Sequence, residues 1–216
     1  MANAFETERE TPRYATIVEL ADNLVYRLPG CDSEMIRRAL REAYVNFCRL
    51  SNALVTKREI LLVADERTYP VVPLAPDSNI ESIRSVFLAG RKLVPQRDYM
   101  VITGSPPCIR IRDAFLPEGG ECECSRRHLV VECMEVPQTG CERAPDWFID
   151  KYGDAVCAGA LVTLFGMTGR AWSDPAQMRM ELVKWENAVN GARIADAGGS
   201  QYGNGTFDAV DMSEVL

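Results

Sequence analysis

The sequence predicts an α+β protein: a helical bundle formed by N- and C-terminal helices, with an inserted antiparallel β module and a flexible C-terminal tail. Three observations support this prediction. Apolar residues recur with helical spacing in the first quarter of the chain and again between residues 145 and 196. Between residues 60 and 136 the pattern changes to short β-like runs separated by turn residues. After residue 197, glycine and small polar residues dominate.

The composition limits the classes of function. The 216 residues are 47% hydrophobic and 25% charged, which is typical of globular proteins. A formal net charge of -7 argues against a surface that grips nucleic acid. No apolar run is long enough to span a bilayer, and the polar start of the chain is unlike a signal peptide. We therefore expect synthesis in the cytoplasm and reduced thiols at the eight cysteines.

Residues 1–57 are predicted to form the N-terminal helices. Thr16 and Glu19 have the spacing of a capping box, so we expect one helix from there to Leu28. Asp32 or Ser33 is expected to cap a second helix. The apolar positions of this second helix lie on one stripe: Ile36, Ala39, Leu40, Ala43, Tyr44 and Phe47. Such a stripe needs a partner surface, which the C-terminal helices can supply.

Residues 58–143 are predicted to form the inserted β-rich module. Its β-like runs span residues 60–63, 68–72, 80–88, 99–103, 108–111 and 129–133. Turn-forming residues separate these runs, and the segment from Leu88 to Leu93 is typical of a hairpin turn. Short runs joined by turns predict a small antiparallel sheet structure.

Residues 144–197 are predicted to form a helical hairpin that completes the bundle. Pro145 is suited to a helix start, and the segment from Phe148 to Met167 is apolar on nearly all sides, which predicts a buried helix. Gly169 is expected to end it. Ser173 or Asp174 is expected to cap a second helix. Four residues are predicted to mediate close packing between helices: Gly153, Ala158, Gly159 and Trp185.

Residues 198–216 are predicted to form the flexible tail. The segment from Gly198 to Gly205 has the composition of a linker. Beyond it, hydrophobic residues are spaced among acidic ones, a pattern typical of segments that become ordered on a partner. The candidate docking residues are Phe207, Val210, Met212, Val215 and Leu216.

The strongest candidate for chemistry is a group of cysteines. Thiolates are suitable zinc ligands, so a zinc site is one hypothesis for Cys122, Cys124, Cys133 and Cys141, with His128 close by in the sequence. The paired Cys-x-x-Cys knuckles of most zinc sites are missing, and thiols within a β-rich region are the alternative. His128 is the only histidine, so a Cys–His nucleophile would depend on it. We predict no enzyme activity and no cofactor.

Several segments, in order, resemble the head-to-tail connector (adaptor) proteins of tailed bacteriophages, a family that includes the tail tubular protein A-like adaptors of short-tailed phages. The resemblance covers most of residues 16–196. The segments that carry it are Leu28–Asp32, Ile36–Ala43 with Phe47–Cys48, Ile80–Leu93, Asp98–Tyr99, Pro145–Trp147, Tyr152–Ala160, Gly166–Met167 and Trp172–Pro175.

The resemblance implies a structural virion protein that forms a ring of about twelve copies, in line with the closed symmetry of most homo-oligomers. Such a ring docks under the portal protein, joins the capsid to the tail and forms part of the channel through which double-stranded DNA leaves. By analogy, the helices and the tail would contact the portal, and the β module would face the tail or a tail-completion protein. The implied location is the neck of the virion, with no membrane contact. The alternatives are another phage neck or tail-completion ring protein and a zinc-stabilised binding module.

Overall fold

The computed structural model describes residues 13–63, 66–75, 77–115 and 128–201, with side chains as far as residue 195. Helices and antiparallel strands occupy separate parts of the chain, so the predicted α+β class is confirmed. The chain runs from helices into strands and back into helices. No helix in these described ranges is long and apolar enough to cross a membrane.

The first elements are β1 (Tyr14–Thr16), a 3₁₀ turn (Ile17–Leu20), α1 (Ala21–Val25) and α2 (Ser33–Ser51). The predicted capping box at Thr16 is wrong. Thr16 has an extended backbone and its side chain makes no capping bond. Thr16 instead pairs with Arg143 of a strand much later in the chain. It therefore lies in a β-strand and not in the first turn of a helix.

Helix α2 confirms its prediction. Asp32 caps it by accepting a hydrogen bond from the Glu34 amide at 2.7 Å, and Asn52 ends it in the left-handed conformation with φ of 56°. The predicted apolar stripe is buried along its whole length: Ile36, Ala39, Leu40, Ala43, Tyr44 and Phe47.

The described residues between α2 and the next α-helix form eight strands: β2 (Val55–Leu61), β3 (Thr68–Pro70), β4 (Ser78–Leu88), β5 (Arg91–Lys92), β6 (Tyr99–Ile102), β7 (Cys108–Ile111), β8 (His128–Pro137) and β9 (Arg143–Pro145). They form a four-stranded sheet in the order β2-β8-β4-β5 and a three-stranded sheet in the order β3-β7-β6, while β9 pairs with β1. All pairings between these strands are antiparallel.

The strand boundaries differ from the prediction at several places, and β8 extends to Pro137, four residues past its predicted end. Strand β2 begins at Val55, five residues before the predicted run. The prediction missed this part because it contains the charged Lys57, Arg58 and Glu59, which nevertheless pair with β8. Strand β9 was not predicted. The predicted hairpin between β4 and β5 is confirmed, with φ of 48° at Ala89 and 79° at Gly90, as a two-residue turn of this kind requires.

The final helices are α3 (Asp146–Phe165) and α4 (Pro175–Gln201). Asp174 caps α4 as predicted, accepting bonds from the amides of Ala176 and Gln177 at 2.9 and 3.0 Å. The predicted end of α3 at Gly169 is wrong, since the helix ends at Phe165 with Gly166 as its C-cap. Helix α4 continues to Gln201, so residues 198–201 of the predicted linker are helical.

The core has two buried clusters. One is formed by α1 to α4 and the residues next to them, with Phe47, Phe148 and Leu161 among its most buried members. The other lies between the two larger sheets and contains Val86, Ile109 and Leu129. The helices thus share one hydrophobic core and the sheets share a second.

Candidate interaction surfaces

The cysteines proposed as zinc ligands are not brought together in the described part of the chain. Cys133 is buried between the sheets, whereas Cys141 is buried in the helical cluster. Cys122 and Cys124 lie outside the described residues. Among the residues that are described, no group of three or more His, Cys, Asp or Glu side chains is arranged to hold a metal ion.

The thiols of Cys133 and Cys141 favour the protonated form, which is a poor nucleophile. Burial raises the pKa of Cys133 to about 12, and burial is also the main cause that raises the pKa of Cys141. Thiolates are the reactive and metal-binding form of cysteine. His128 is exposed at the start of β8, opposite Leu61 of β2. No described contact joins it to a nucleophile.

Helices α3 and α4 pack tightly at Gly159. A Cβ atom placed on Gly159 would lie 2.4 and 2.5 Å from ring carbons of Trp185. The Trp185 ring also meets Phe47 of α2 edge to face, with ring centroids 5.4 Å apart. The indole therefore fits only against a residue without a side chain, and it links three helices.

The other predicted packing residues are placed differently. Ala158 is buried on α3. Gly153 lies near Leu20 and Ile149, but a Cβ there would be 3.6 Å from each, which is ordinary van der Waals contact. Gly153 therefore leaves room for a methyl group, and Gly159 does not. The candidate docking residues of the tail, from Phe207 to Leu216, lie outside the described residues.

A buried carboxylate that sequence reasoning missed lies where the helices meet the sheets. Glu135 of β8 is fully buried, and its side chain accepts hydrogen bonds from the Thr56 hydroxyl at 2.6 Å, the Leu74 amide at 2.7 Å and the Ser78 hydroxyl at 2.7 Å. Its own amide donates to the carbonyl of Leu54, just after α2. The signal in the sequence was a glutamate flanked by apolar residues, Met134 and Val136, near the end of a β-like run.

A second missed contact joins the turn after α1 to α4. Arg27 donates to Glu181 at 2.7 Å, and Lys184 donates to the same oxygen at 3.0 Å. Burial of Glu181 acts to raise its pKa, but the hydrogen bonds from Arg27 and Lys184 outweigh burial and lower it. Glu181 therefore stays ionised and fixes the start of α4 against the end of α1.

The outer face of α4 carries exposed apolar side chains. Val189 and Ala192 are buried on the inner face, while Met180, Val183 and Ile194 are 58%, 57% and 73% exposed. These three positions lie on the side opposite Trp185, given the 100° rotation per residue of an α-helix. Helix α4 thus has one apolar stripe packed against the core and a second that faces outward.

The centre of the outer stripe of α4 is uncharged. Beside the three apolar residues it contains the exposed Ala176, Asn187 and Asn190, and the exposed Arg179 borders it. No atom lies within 4 Å of a Cβ placed on Gly191, so the helix backbone is open to close approach there. A surface that is apolar, open and uncharged at its centre is typical of a contact with another protein.

Strand β6 is a second exposed apolar surface. It forms one edge of the three-stranded sheet, and Met100, Val101 and Ile102 are 59%, 45% and 42% exposed. The two surfaces lie on different hydrophobic clusters, one on the helices and one on the sheets.

No model of a known protein family matches the chain, and a search of curated proteins found no match either.

Proposed function

We propose that the protein is a structural subunit of a bacteriophage head-to-tail connector, a ring of identical copies that joins the portal to the tail and surrounds the path of the DNA. In this proposal the helices form the bundle that meets the portal. The inserted β module faces the tail or a tail-completion protein. The order of the resembling segments from residue 28 to residue 175 supports this choice of family.

The observation that carries the proposal is the outer stripe of α4. Copies of a chain with a net charge of -7 repel one another, so contacts between them favour uncharged surfaces. The stripe runs from Ala176 to Ile194 of the 27-residue helix, which is about 27 Å at 1.5 Å per residue. A second copy of this chain is therefore the occupant that we assign to it.

The linkage between the two hydrophobic clusters also supports a connecting role. A connector must hold its portal side and its tail side at a fixed separation. Glu135 bonds to the segment after α2 through its backbone and to the segment before β4 through its side chain. These buried hydrogen bonds favour a single arrangement of the segments they join, although the Nε of the neighbouring Arg58 is buried without a hydrogen bond.

The proposal is tested by imaging the purified protein, alone and mixed with the portal of the same phage. We expect rings of uniform symmetry, formed alone or on the portal. Val183→Lys should reduce ring formation by about tenfold or more, because the interface would bury an unpaired charge. Val72→Lys is a matched control, since Val72 is also 57% exposed but lies beside the three-stranded sheet.

Two outcomes would contradict the proposal. A stable monomer that does not bind the portal would exclude a connector. Rings that form equally well with Val183→Lys would exclude the α4 contact. Rings that never bind a portal would instead indicate another neck or tail-completion ring protein.

A further inference from the structure

A pocket of about 200 Å³ opens where the helices meet the sheets, beside Glu135. Its walls are mainly apolar, and the residues that line it include Tyr14, Leu54, Val55, Leu74, Pro145 and Trp147. Leu74 and Trp147 are 39% and 44% exposed, so the pocket is open at the surface. Because a cavity of about 150 Å³ is sufficient to bind benzene, this pocket has room for one aromatic side chain.

The charged groups that line this pocket are already paired. The two carboxylate oxygens of the buried Glu135 accept hydrogen bonds from four donors, on Thr56, Leu74, Ala75 and Ser78. The amine of Lys57 lies 3.2 Å from a carboxylate oxygen of Glu132. Within the described residues, a polar small molecule would therefore find few free partners in the pocket. The apolar walls instead favour an apolar or aromatic side chain as the occupant.

Tyr26 has the most exposed large apolar side chain of the described residues, at 92%. It follows α1 directly and keeps helical backbone angles, with φ of -67° and ψ of -22°. The buried Leu24 and Leu28 on either side fix its backbone to the core. A tyrosine side chain offers a large contact area and loses little conformational entropy when it is held in an interface. We call the Tyr26 side chain the knob.

The knob cannot reach the pocket of its own subunit. The segment between them runs along α3, as three contacts show: Tyr14 paired with Pro145, Leu20 beside Gly153, and Arg27 over the ring of Phe165 at 5.7 Å. Trp147 of the pocket and Phe165 lie at opposite ends of α3, about 27 Å apart at 1.5 Å per residue. Only a second molecule can therefore bring a knob and a pocket together.

The surroundings of the knob and of the pocket have opposite charges. Asp22, one helical turn before Tyr26, is exposed and forms no ion pair within the described residues. Arg13, next to Tyr14 of the pocket, is also exposed and has no ion pair in the described part of the chain. Lys57 adds a second positive charge to the pocket side. Opposite charges on two surfaces guide their association and fix its register.

We infer that Tyr26 of one copy inserts into this pocket of the next copy, against Tyr14 and Trp147. Because the knob and the pocket are different surfaces at opposite ends of α3, the contact is head-to-tail and repeats from copy to copy. Such a contact forms a ring when the rotation between neighbours closes. Arg27 bonds to Glu181 near the start of α4, so the knob lies at the same end of the helices as the first half of the outer stripe. The inference rests on the proposed ring of identical copies, and it identifies a surface on the neighbouring copy.

Two variants of the full-length protein, each altering one side of the contact, test this inference. Tyr26→Ser removes the knob, and Trp147→Glu places a charge in the pocket. A carboxylate in the first turn of α3 favours the helix, so the second variant should still fold. Each variant alone should weaken self-association by about thirtyfold or more, measured by sedimentation and electron microscopy, since central aromatic residues dominate binding at interfaces.

Two further variants are controls. Tyr26→Phe should retain most of the association, because the pocket receives the ring. Met100→Ser also removes an exposed apolar side chain, one that is 59% exposed on β6, and it should leave association unchanged. If the natural protein forms rings only on the portal of the same phage, all variants are compared with that portal present.

Mixing the two deficient variants gives the decisive result. Trp147→Glu keeps the knob and Tyr26→Ser keeps the pocket, so an equimolar mixture should form dimers that cannot grow. Rings that form equally well with Tyr26→Ser, or variants that form no dimers when mixed, would overturn the inference and leave the connector proposal standing. Association through this contact without any binding to the portal would support the inference and exclude the connector. A natural protein that stays monomeric with and without the portal would overturn both.

Discussion

The contact between Gly159 and Trp185 gives the sharpest test of the helical packing. We expect Gly159→Ala to destabilise the protein, although alanine favours helices. The new methyl group would lie 2.4 Å from the ring, whereas carbon atoms in contact prefer about 3.5–4.0 Å. The ring must therefore move by about 1 Å, against Phe47 on its other side.

The magnitude follows from two opposing contributions. Overpacking a well-packed core costs about 1–3 kcal/mol, and so deep an overlap belongs at the upper end. Replacing glycine by alanine within a helix contributes about 1 kcal/mol in the other direction. We therefore expect the free energy of unfolding to fall by about 2 kcal/mol.

Two other glycines of the same helices are matched controls. A Cβ on Gly153 would lie 3.6 Å from its neighbours, and one on Gly191 would have none within 4 Å. Gly153→Ala and Gly191→Ala should therefore each raise the free energy of unfolding by up to about 1 kcal/mol. Urea denaturation followed by circular dichroism measures all three variants, with equal slopes showing that the unfolded states are comparable.

The role of the indole is isolated by a double variant. In a Trp185→Leu background the overlap is removed, so Gly159→Ala should become stabilising. If Gly159→Ala is as stable as Gly153→Ala in the natural background, the packing argument is refuted. The packing argument is also refuted if Gly159→Ala lowers the free energy of unfolding as much in the Trp185→Leu background as in the natural one.

Two further predictions concern acidic side chains of the sheets. Glu135→Ala should lower the free energy of unfolding, measured by urea denaturation, by about 3 kcal/mol or more, because several buried donors lose their acceptor. The control is Glu81→Ala, at an exposed position of β4, which should change the same free energy by less than about 0.5 kcal/mol. Hydrogen bonds from Arg97 and from the Val94 amide hold the pKa of Asp98 at about 2, below its usual range. The Asp98 carboxyl therefore binds a proton more readily in the unfolded chain than in the folded one. The stabilisation that its ionised form gives to the fold is complete above a pH of about 4 and is lost as the pH falls toward 2. Asp98→Asn should flatten that part of a plot of Tm against pH, and a variant curve parallel to the natural one would contradict this reasoning.

The elements that could be predicted from the sequence are those specified by nearby residues. Asp32 and Asp174 cap their helices through amides two or three residues away, so the local sequence contains all of the information. The hairpin at Ala89 and Gly90 is likewise local. The same is true of the apolar stripe of α2, whose spacing alone identifies the buried face.

The errors occur where distant residues decide the structure. Thr16 and Glu19 have the pattern of a helix start, but Thr16 lies in a strand because β9, more than a hundred residues later, pairs with it. The prediction missed the start of β2 because its residues are charged. Charged residues protect the edge of a sheet but do not form the apolar pattern that predicts a strand. Glycines after residue 197 indicated a linker, yet a helix already formed extends easily, and α4 continues to Gln201.

The candidate surfaces show the same division. The small size of Gly159 suggested close packing, but only the fold shows that Trp185 is its partner and that Gly153 has space to spare. The outer apolar face of α4 was not predicted, because a helix with apolar residues on two sides has no clear pattern of inside and outside. The open edge of β6 depends on the order of strands in the sheet, which the sequence does not specify.

The separation of α2 from α3 along the chain has a consequence for biosynthesis. About 95 residues lie between the end of α2 and the start of α3, and a ribosome needs about 5–20 s to add them at typical rates of synthesis. During that time the apolar stripe of α2 has only Ile17, Leu24 and Leu28 of the preceding segment as partners, since Phe148 and Leu161 of its core are not yet made. The nascent chain therefore exposes a hydrophobic helix while the β strands emerge, and chaperones have a defined interval in which to bind it.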